Sequence, residues 1–405
     1  MGNAAMTTDF DAIRRAFDLP EGVIYLDGNS LGPLPRGVAE RLARTVADEW
    51  GRMLITGWNR AGWIGLPVRV GDRIARLVGA EPGSVVMGDT LSVKVYQALA
   101  SALDMNPGRR VILSDTGNFP SDLYIADGLA RSLGPDIRLK LAEPEALAAA
   151  LDDSVAVLLV TEVDYRIGRR HDMAALTARA QELGILTVWD LAHSAGAFPV
   201  GLAACNADFA VGCTYKYLNG GPGAPAFIYV APRHQDRARP ALSGWMGHEA
   251  PFAFDLDYRP APGVERMRVG TPPVLHLAAL DAALDVWDGV DMDDLRARSL
   301  ELGDLFVRLV EADCPDLILA TPRDHARRGS QVSFRHPQGY AIMQALIAEG
   351  VIGDFRAPDI LRFGLTPLYV GLDDVRRAAA VLARVTADRL WDRPEFRRPA
   401  GRAVT

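Results

Sequence analysis

The residues best suited to chemistry are an amine and a carboxylate, each placed just after its own apolar run. Ile185 to Trp189 ends abruptly in Asp190, and Phe209 to Cys213 gives way to Thr214, Tyr215 and Lys216 before Asn219-Gly220-Gly221. Moving a lysine out of water disfavours its charged form, which frees a lone pair to attack a carbonyl and form a Schiff base. A buried acid nearby can hold a positive charge on an aromatic ring nitrogen. Taken singly, Asp190 reads as a strand-end residue capping a turn and Lys216 as a surface cation. Together they read as two groups reaching one heterocycle.

A third group strengthens the pair. Ser84 to Met87 has the pattern of a strand, Gly88-Asp89-Thr90 of a turn, and Leu91 to Leu103 of a helix. The free N–H groups and dipole of such a helix start favour an anion. Thr90 and Ser92 can equally be plain N-caps, and a phosphate is the sharper reading. An amine, an acid and a phosphate cradle are what a protein contributes to pyridoxal phosphate chemistry. Phe119, ahead of Pro120-Ser121-Asp122, is placed to stack on a ring, and Thr161 closes another apolar run, Val155 to Thr161. His193 lies three residues past Asp190, although one histidine alone is commonly structural. Arg362, at the end of a predicted strand, has the fork to grip a carboxylate with two bonds. Asn29 sits in the polar turn Asp27-Gly28-Asn29-Ser30, where a plain surface turn is the commoner role. Trp58 and Trp63, in a Gly-containing link, either anchor a loop or offer an aromatic platform. Trp245, His248 and Thr271-Pro272-Pro273 punctuate a Gly- and Pro-rich stretch over 238–273 that is too long for an idle loop.

The elements that must position these residues follow from periodicity. Strands and helices alternate from 84 to 230, which predicts an α/β architecture with a mostly parallel sheet, of the seven-stranded type, covered on both faces. Ligands in such sheets collect beyond the carboxyl ends of the strands. Further helices are predicted over 9–19, 36–50, 69–79 and 172–183, with a short extended run at Val23 to Leu26. Past residue 275 the texture becomes α+β: helices over 276–289, 293–312, 340–349 and 372–390, and strands at Leu317 to Ala320, Ser330 to Arg335 and Leu361 to Gly364. The expected organisation is an N-terminal segment, 1–35, that joins a small C-terminal domain, 276–405, and a large cofactor-binding domain, 36–275.

Composition narrows the partners. The net charge of -7 is spread along the chain and argues against nucleic acid. Three cysteines at no metal-ligand spacing and seven scattered histidines leave no expected metal site and suit a reducing cytoplasm. No apolar signal core opens the chain and no run of 18 apolar residues occurs, so no membrane span is expected. Gly220-Gly221-Pro222-Gly223 precedes a strand and not a helix, and thereby fails the context of a dinucleotide loop.

In order along the chain, YLDGNSLGPLP, NFPSDLY, WDLAHSAG, TYKYLNGGPG, GWMGHE and RFGLTPLY closely resemble the kynureninases. These are pyridoxal-phosphate enzymes of the class V aminotransferase-like group with the type I fold. The likeness runs from about residue 20 to 385, and FPSD, GWMGHE and RFGLTPLY are its specific parts. WDLAH with a Tyr-Lys pair is shared loosely with cysteine desulfurases. The resemblance implies that Lys216 carries the cofactor as an imine and moves protons at the substrate α-carbon. Asp190 would pair with the pyridine nitrogen, Phe119 would stack on the ring, and Asp122 would help fix it within the Pro120-Ser121-Asp122 turn. Leu91 and Ser92 would offer the phosphate site, completed by Tyr215 and, from the other subunit of a homodimer, by Trp245 and Thr271. Thr161 and His193 would lie beside the cofactor. Arg362 would hold the substrate α-carboxylate, with Trp58 and Asn29 near the substrate. The implied reaction is hydrolysis of L-kynurenine to anthranilate and L-alanine, with Tyr215 as acid to the β-carbon. The tryptophans around residue 58 favour unsubstituted kynurenine over its 3-hydroxy form. The alternatives are a β-eliminating or desulfurising enzyme on the same fold and an inactive scaffold.

Overall fold

The computed structural model describes residues 7–397, so the start of the 1–17 stretch read as lacking a signal core and the end of the 276–405 domain lie outside the described residues. In chain order the strands are β1 (Ile24–Tyr25), β2 (Val85–Met87), β3 (Val111–Asp115), β4 (Arg138–Ala142), β5 (Val155–Thr161), β6 (Leu186–Asp190), β7 (Phe209–Gly212) and β8 (Phe227–Val230). They continue as β9 (Ile318–Leu319), β10 (Gln331–Arg335), β11 (Val351–Ile352), β12 (Asp354–Arg356) and β13 (Ile360–Gly364).

The apolar runs of the first half build one seven-stranded sheet in the order β2-β8-β7-β6-β5-β3-β4. Only β8 runs against its neighbours, and every other pairing is parallel. Every residue of β5 is buried, as expected of a strand covered on both faces. Alternate residues enter two different cores: Val111, Leu113, Leu158 and Val160 one, and Ile112, Val157, Leu159 and Val188 the other. The register places Thr161 beside Asp190, and Asp190 beside Val211. Three strand ends therefore share one edge, where the predicted site residues emerge.

A second sheet, β12-β13-β10-β9, is antiparallel throughout. The N-terminal β1 pairs in parallel with β11, Ile24 opposite Val351. From there the turn Asp27–Gly32 crosses to the lysine loop, where Gly32 N donates to Tyr215 O at 2.8 Å. A Cβ on Gly32 would stand 2.4 Å from Lys216 O, so the two segments can touch only with glycine there.

Several elements differ from their sequence-based expectation. The first helix covers Phe10–Arg14 and not 9–19, because Phe17 turns off to bridge Pro35. The helix expected over 36–50 is regular at Gly37–Arg44 and then widens into a π-type coil, Thr45–Met53. The link around Trp58 is coiled into short helical turns. Strand β4 had no apolar signature, since RLKLA is a largely exposed edge strand. The helix expected over 276–289 is α-helical at Val274–Ala283 and tightens through Leu284–Trp287. Among the described residues no helix is long and apolar enough to cross a membrane.

Candidate active site

The site grows from the carboxyl ends of β5, β6 and β7. Asp190, the last residue of β6, is buried, and its Oδ1 accepts from Ala192 N at 2.9 Å. Its Oδ2 accepts from the Thr161 hydroxyl at 3.3 Å, and Thr161 also bonds Asn118 Oδ1. Burial pushes the Asp190 carboxyl up, and the charge of Lys216 pulls it back. Asp122, in the first turn of the helix Pro120–Leu133, is buried beside it. Its carboxyl is pushed well up, by burial first and by Asp190 second. The two acids thus share one site in which burial opposes the ionisation of both.

Lys216 stands past the end of β7, with its Nζ 3.0 Å from His193 Nε2. The ammonium nitrogen also lies 5.9 Å from the Phe119 ring centre and 5.8 Å from that of Tyr215. Burial, then the charge of Lys216, drives the His193 imidazole well below its ordinary value, so it is neutral at neutral pH. The Tyr215 hydroxyl is raised by Cys213 first and burial second and keeps its proton. Of the three lysines in the chain, Lys94 is wholly buried and held by Asp89, Gln97 and Met267 O, while Lys140 pairs with Asp152 on the exposed edge strand. Lys216 alone faces the strand-end acids.

The phosphate-side residues converge from two helix starts. Thr90 caps the helix Leu91–Met105, and Ser92 Oγ meets Ser121 Oγ at 3.0 Å, which joins this helix to the one beginning at Pro120. Phe119, 40% exposed, presents its ring with Tyr165 edge-on to it at 5.0 Å. Asp122 Oδ2 and His193 Nδ1 are buried without a hydrogen-bond partner. An amine, an acid pair, an exposed aromatic face, hydroxyls on adjoining helix starts and two orphaned polar atoms fit pyridoxal phosphate.

Of the remaining predicted residues, Arg362 borders the site, its charge acting on His193, and no hydrogen bond or ring contact joins the others to the Lys216 group among the described residues. Arg362 is not at a strand end: it is the middle residue of β13, buried and opposite Asp354 in register. Its Nη1 donates to Tyr165 O at 2.6 Å, and its Nη2 to Ser30 Oγ at 2.9 Å and to Asp354 Oδ2. Asn29 is buried against Gly364, with neither amide atom bonded. Trp63 is a core anchor, its Nε1 donating to Glu49 at 2.8 Å, and Trp58 packs edge-on against it, half-buried. Trp245 packs edge-on on Phe252, and Thr271 is exposed beside Asp89 and Arg268. Neither has a hydrogen bond or ring contact to the Lys216 group among the described residues. Asp354 and Tyr165 carry no local sequence signal, and Ser30 stands out only as one polar residue of the turn Asp27–Ser30.

Comparison with known proteins decides the family. A kynureninase of Deinococcus radiodurans is 56% identical over 379 residues, 92% of each chain. One of Pseudomonas fluorescens is 50% identical over 391 residues, 95% of this chain and 94% of the relative. The chain belongs to the kynureninase family. The family model for the kynureninase C-terminal domain matches residues 295–382, which contain β9 to β13. Solved structures give the fold. A cysteine desulfurase of Thermococcus onnurineus matches with a TM-score of 0.78 at 18% identity, covering 95% of this chain and all of that one. A C-DES lysine-to-alanine mutant, with glycine covalently linked to its PLP cofactor, matches with a TM-score of 0.78 at 17% identity, covering 91% of this chain and 98% of that one. The fold is thus that of pyridoxal-phosphate enzymes of type I. The cysteines of this kynureninase-family chain do not suit desulfurisation: burial raises the Cys213 thiol, and its Sγ points to Ala192 O.

Proposed function

We propose that this chain hydrolyses L-kynurenine to anthranilate and L-alanine with pyridoxal 5'-phosphate as cofactor. The observation that carries the proposal is the Lys216 amine set 3.0 Å from a neutral His193, beside two buried acids, in a chain at least half identical to kynureninases. When bound, the cofactor supplies a conjugated ring that draws electrons from the substrate α-carbon. Lys216 would hold the cofactor and move the α-proton. Asp190 would keep positive charge on the ring nitrogen, and Phe119 would lie against the ring. The hydroxyls of Ser92 and Ser121 and the helix starts behind them orient the phosphate. Arg362 grips the α-carboxylate. Water would add to the γ-carbonyl and the Cβ–Cγ bond would break, the water oxygen staying on the former carbonyl carbon as part of the anthranilate carboxylate, the bonding pair going to the β-carbon and Tyr215 giving that carbon its proton. The same electrostatics support that last role, since a phenol with a raised pKa arrives protonated.

The same proposal takes unsubstituted kynurenine as preferred over its 3-hydroxy form; a larger kcat/KM for the 3-hydroxy compound would overturn it. A homodimer is part of the same proposal. Trp245, Phe252, Phe254 and Leu256 form one exposed apolar stretch, and Trp50, Leu54 and Ile55 another; patches of this kind mark interfaces. A groove of about 750 Å³ lined by Leu34, Val46, Leu275 and Ala279 adds to them. The division into segments 1–35, 36–275 and 276–405 and a cytoplasmic location belong to the proposal too; the pairing of β1 with β11 supports the first boundary. Chromatography of the products of purified protein, cofactor and L-kynurenine tests the reaction. Anthranilate and L-alanine are expected in equal amounts and absent with Lys216→Ala. Sedimentation of the holoenzyme as a monomer with full activity would overturn the dimer.

A further inference from the structure

Where the turn Asp27–Gly32 meets the small sheet, two arginines and two aspartates form one charged cluster. Arg362 Nη2 bonds Asp354 Oδ2 and Ser30 Oγ. Ser30 Oγ itself donates to Asp354 Oδ2 at 2.9 Å. Arg356 approaches the same carboxylate from the side, Nη1 to Oδ1 at 3.0 Å and Nη2 to Oδ2 at 2.8 Å. Asp354 therefore holds both guanidinium groups. Asp27 is the fourth charged group, and its Oδ1 is buried with no hydrogen-bond partner. The turn packs closely against the same region: a Cβ on Gly28 would stand 1.7 Å from the Tyr369 hydroxyl, so only glycine fits there.

The charges balance at two positive and two negative only while no substrate is present. On the reading that Arg362 receives the substrate α-carboxylate, a bound substrate sets three carboxyl groups against two guanidinium groups. A surplus charge in a water-poor site is costly, and a titratable group there neutralises instead. Asp354 is bonded to both arginines and Ser30, whereas Asp27 is the least satisfied acid of the three. We infer that Asp27 takes up a proton when the α-carboxylate binds, so that substrate binding in this enzyme is linked to proton uptake at a residue outside the cofactor site.

The electrostatics of the substrate-free protein agree. Burial first and Asp354 second push Asp27 up to about 7, against the opposing pull of Ser30, Arg362 and Arg356. The other titratable groups facing it are the phenols of Tyr25, Tyr217 and Tyr369, all raised by burial, and none of them titrates near neutrality. Asp27 is thus a member of the cluster whose charge can change there. Carboxylate binding therefore weakens as the pH rises past about 7.

The test is calorimetry of the holoenzyme with L-alanine, which carries the same α-carboxylate, at pH 7.5 in two buffers of different ionisation heat. With a pKa near 7, wild type should take up about 0.7 proton more than Asp27→Asn. The KM for L-kynurenine should climb with pH more steeply in wild type than in Asp27→Asn, by up to about tenfold per unit. Infrared difference spectra of unmodified protein should gain a protonated-carboxyl band on adding L-alanine, so the inference does not depend on the variant folding. Equal proton uptake and parallel KM profiles in the two proteins, or no such band, would overturn it. Arg362→Lys separates the two failures: L-alanine affinity unchanged there removes the carboxylate assignment itself, whereas weakened affinity with equal uptake in Asp27→Asn removes the proton linkage alone.

Discussion

Asp190→Asn isolates the charge that the site places opposite Lys216. The substitution keeps the shape. Asparagine's carbonyl can still accept from Ala192 N, and its amide can donate to Thr161 Oγ1, whose own hydroxyl bonds Asn118 Oδ1. What disappears is one negative charge in a buried setting. A preorganised electrostatic partner of this kind is worth ~3–4 kcal/mol, or ~10²–10³ in kcat. Asp122 should soften the loss. Its carboxyl is held up partly by the Asp190 charge, so removing that charge lets Asp122 ionise and stand in. The single variant is expected near ~10²-fold loss, and Asp122→Asn with Asp190→Asn near ~10³ or more. Stability should not fall. The folded carboxyl of Asp190 is raised, so its ionisation costs stability as pH rises, and asparagine removes that cost. Anthranilate fluorescence under saturating cofactor gives kcat, and urea unfolding gives stability. A single variant within twofold of wild type, or a double variant no worse than the single, would refute the reasoning.

Four further outcomes follow. Arg362→Lys can keep only part of the bonds to Tyr165 O, Ser30 and Asp354; at ~1.5–3 kcal/mol for a charged hydrogen bond, KM for L-kynurenine should rise ~10–150-fold with a smaller change in kcat. Equal falls in kcat and kcat/KM would contradict it. Ser92→Ala combined with Ser121→Ala removes two hydroxyls 3.0 Å apart and, at ~1 kcal/mol each, should weaken cofactor binding by equilibrium dialysis roughly thirtyfold. Unchanged binding would show that the helix starts act without them. Gly71→Ala drives a Cβ to 2.2 Å from Val85 O and should cost ~1–3 kcal/mol in urea, an expectation that an unshifted midpoint would end. Asp208 is buried, but His234, Thr187 and Arg233 outweigh burial and hold its carboxyl low. That stability is present above the ordinary carboxylate range and lost as pH falls through the folded value, so Asp208→Asn should unfold more easily at pH 7 and show a flatter acid limb; a limb parallel to wild type would contradict the assignment.

The legible parts of the sequence are those written in local pattern. Strands β5, β6 and β7 are short apolar runs stopped by Thr161, Asp190 and the Cys213–Lys216 turn, and period alone reveals them. Strand β4 was hidden because an exposed edge strand such as RLKLA needs no apolar face. The first helix was overestimated because Phe17 is apolar for a different reason, a bridge to Pro35. Lys216 and Asp190 could be paired because both follow adjacent strands. Arg362 could be named but not placed: its partner Asp354 is set by cross-strand register, and Ser30 lies 332 residues away in sequence. Nor could periodicity decide between the two roles for the tryptophans, which turned on whether Glu49 reached the Trp63 indole.

The central claim is that one lysine of three carries the chemistry. Borohydride reduction of the cofactor-loaded protein, followed by peptide mass mapping, tests it directly. The reduced cofactor is predicted on the peptide containing Lys216, with the absorbance above 400 nm lost in step. Label on the Lys94 or Lys140 peptide, or none on any lysine, would contradict the account.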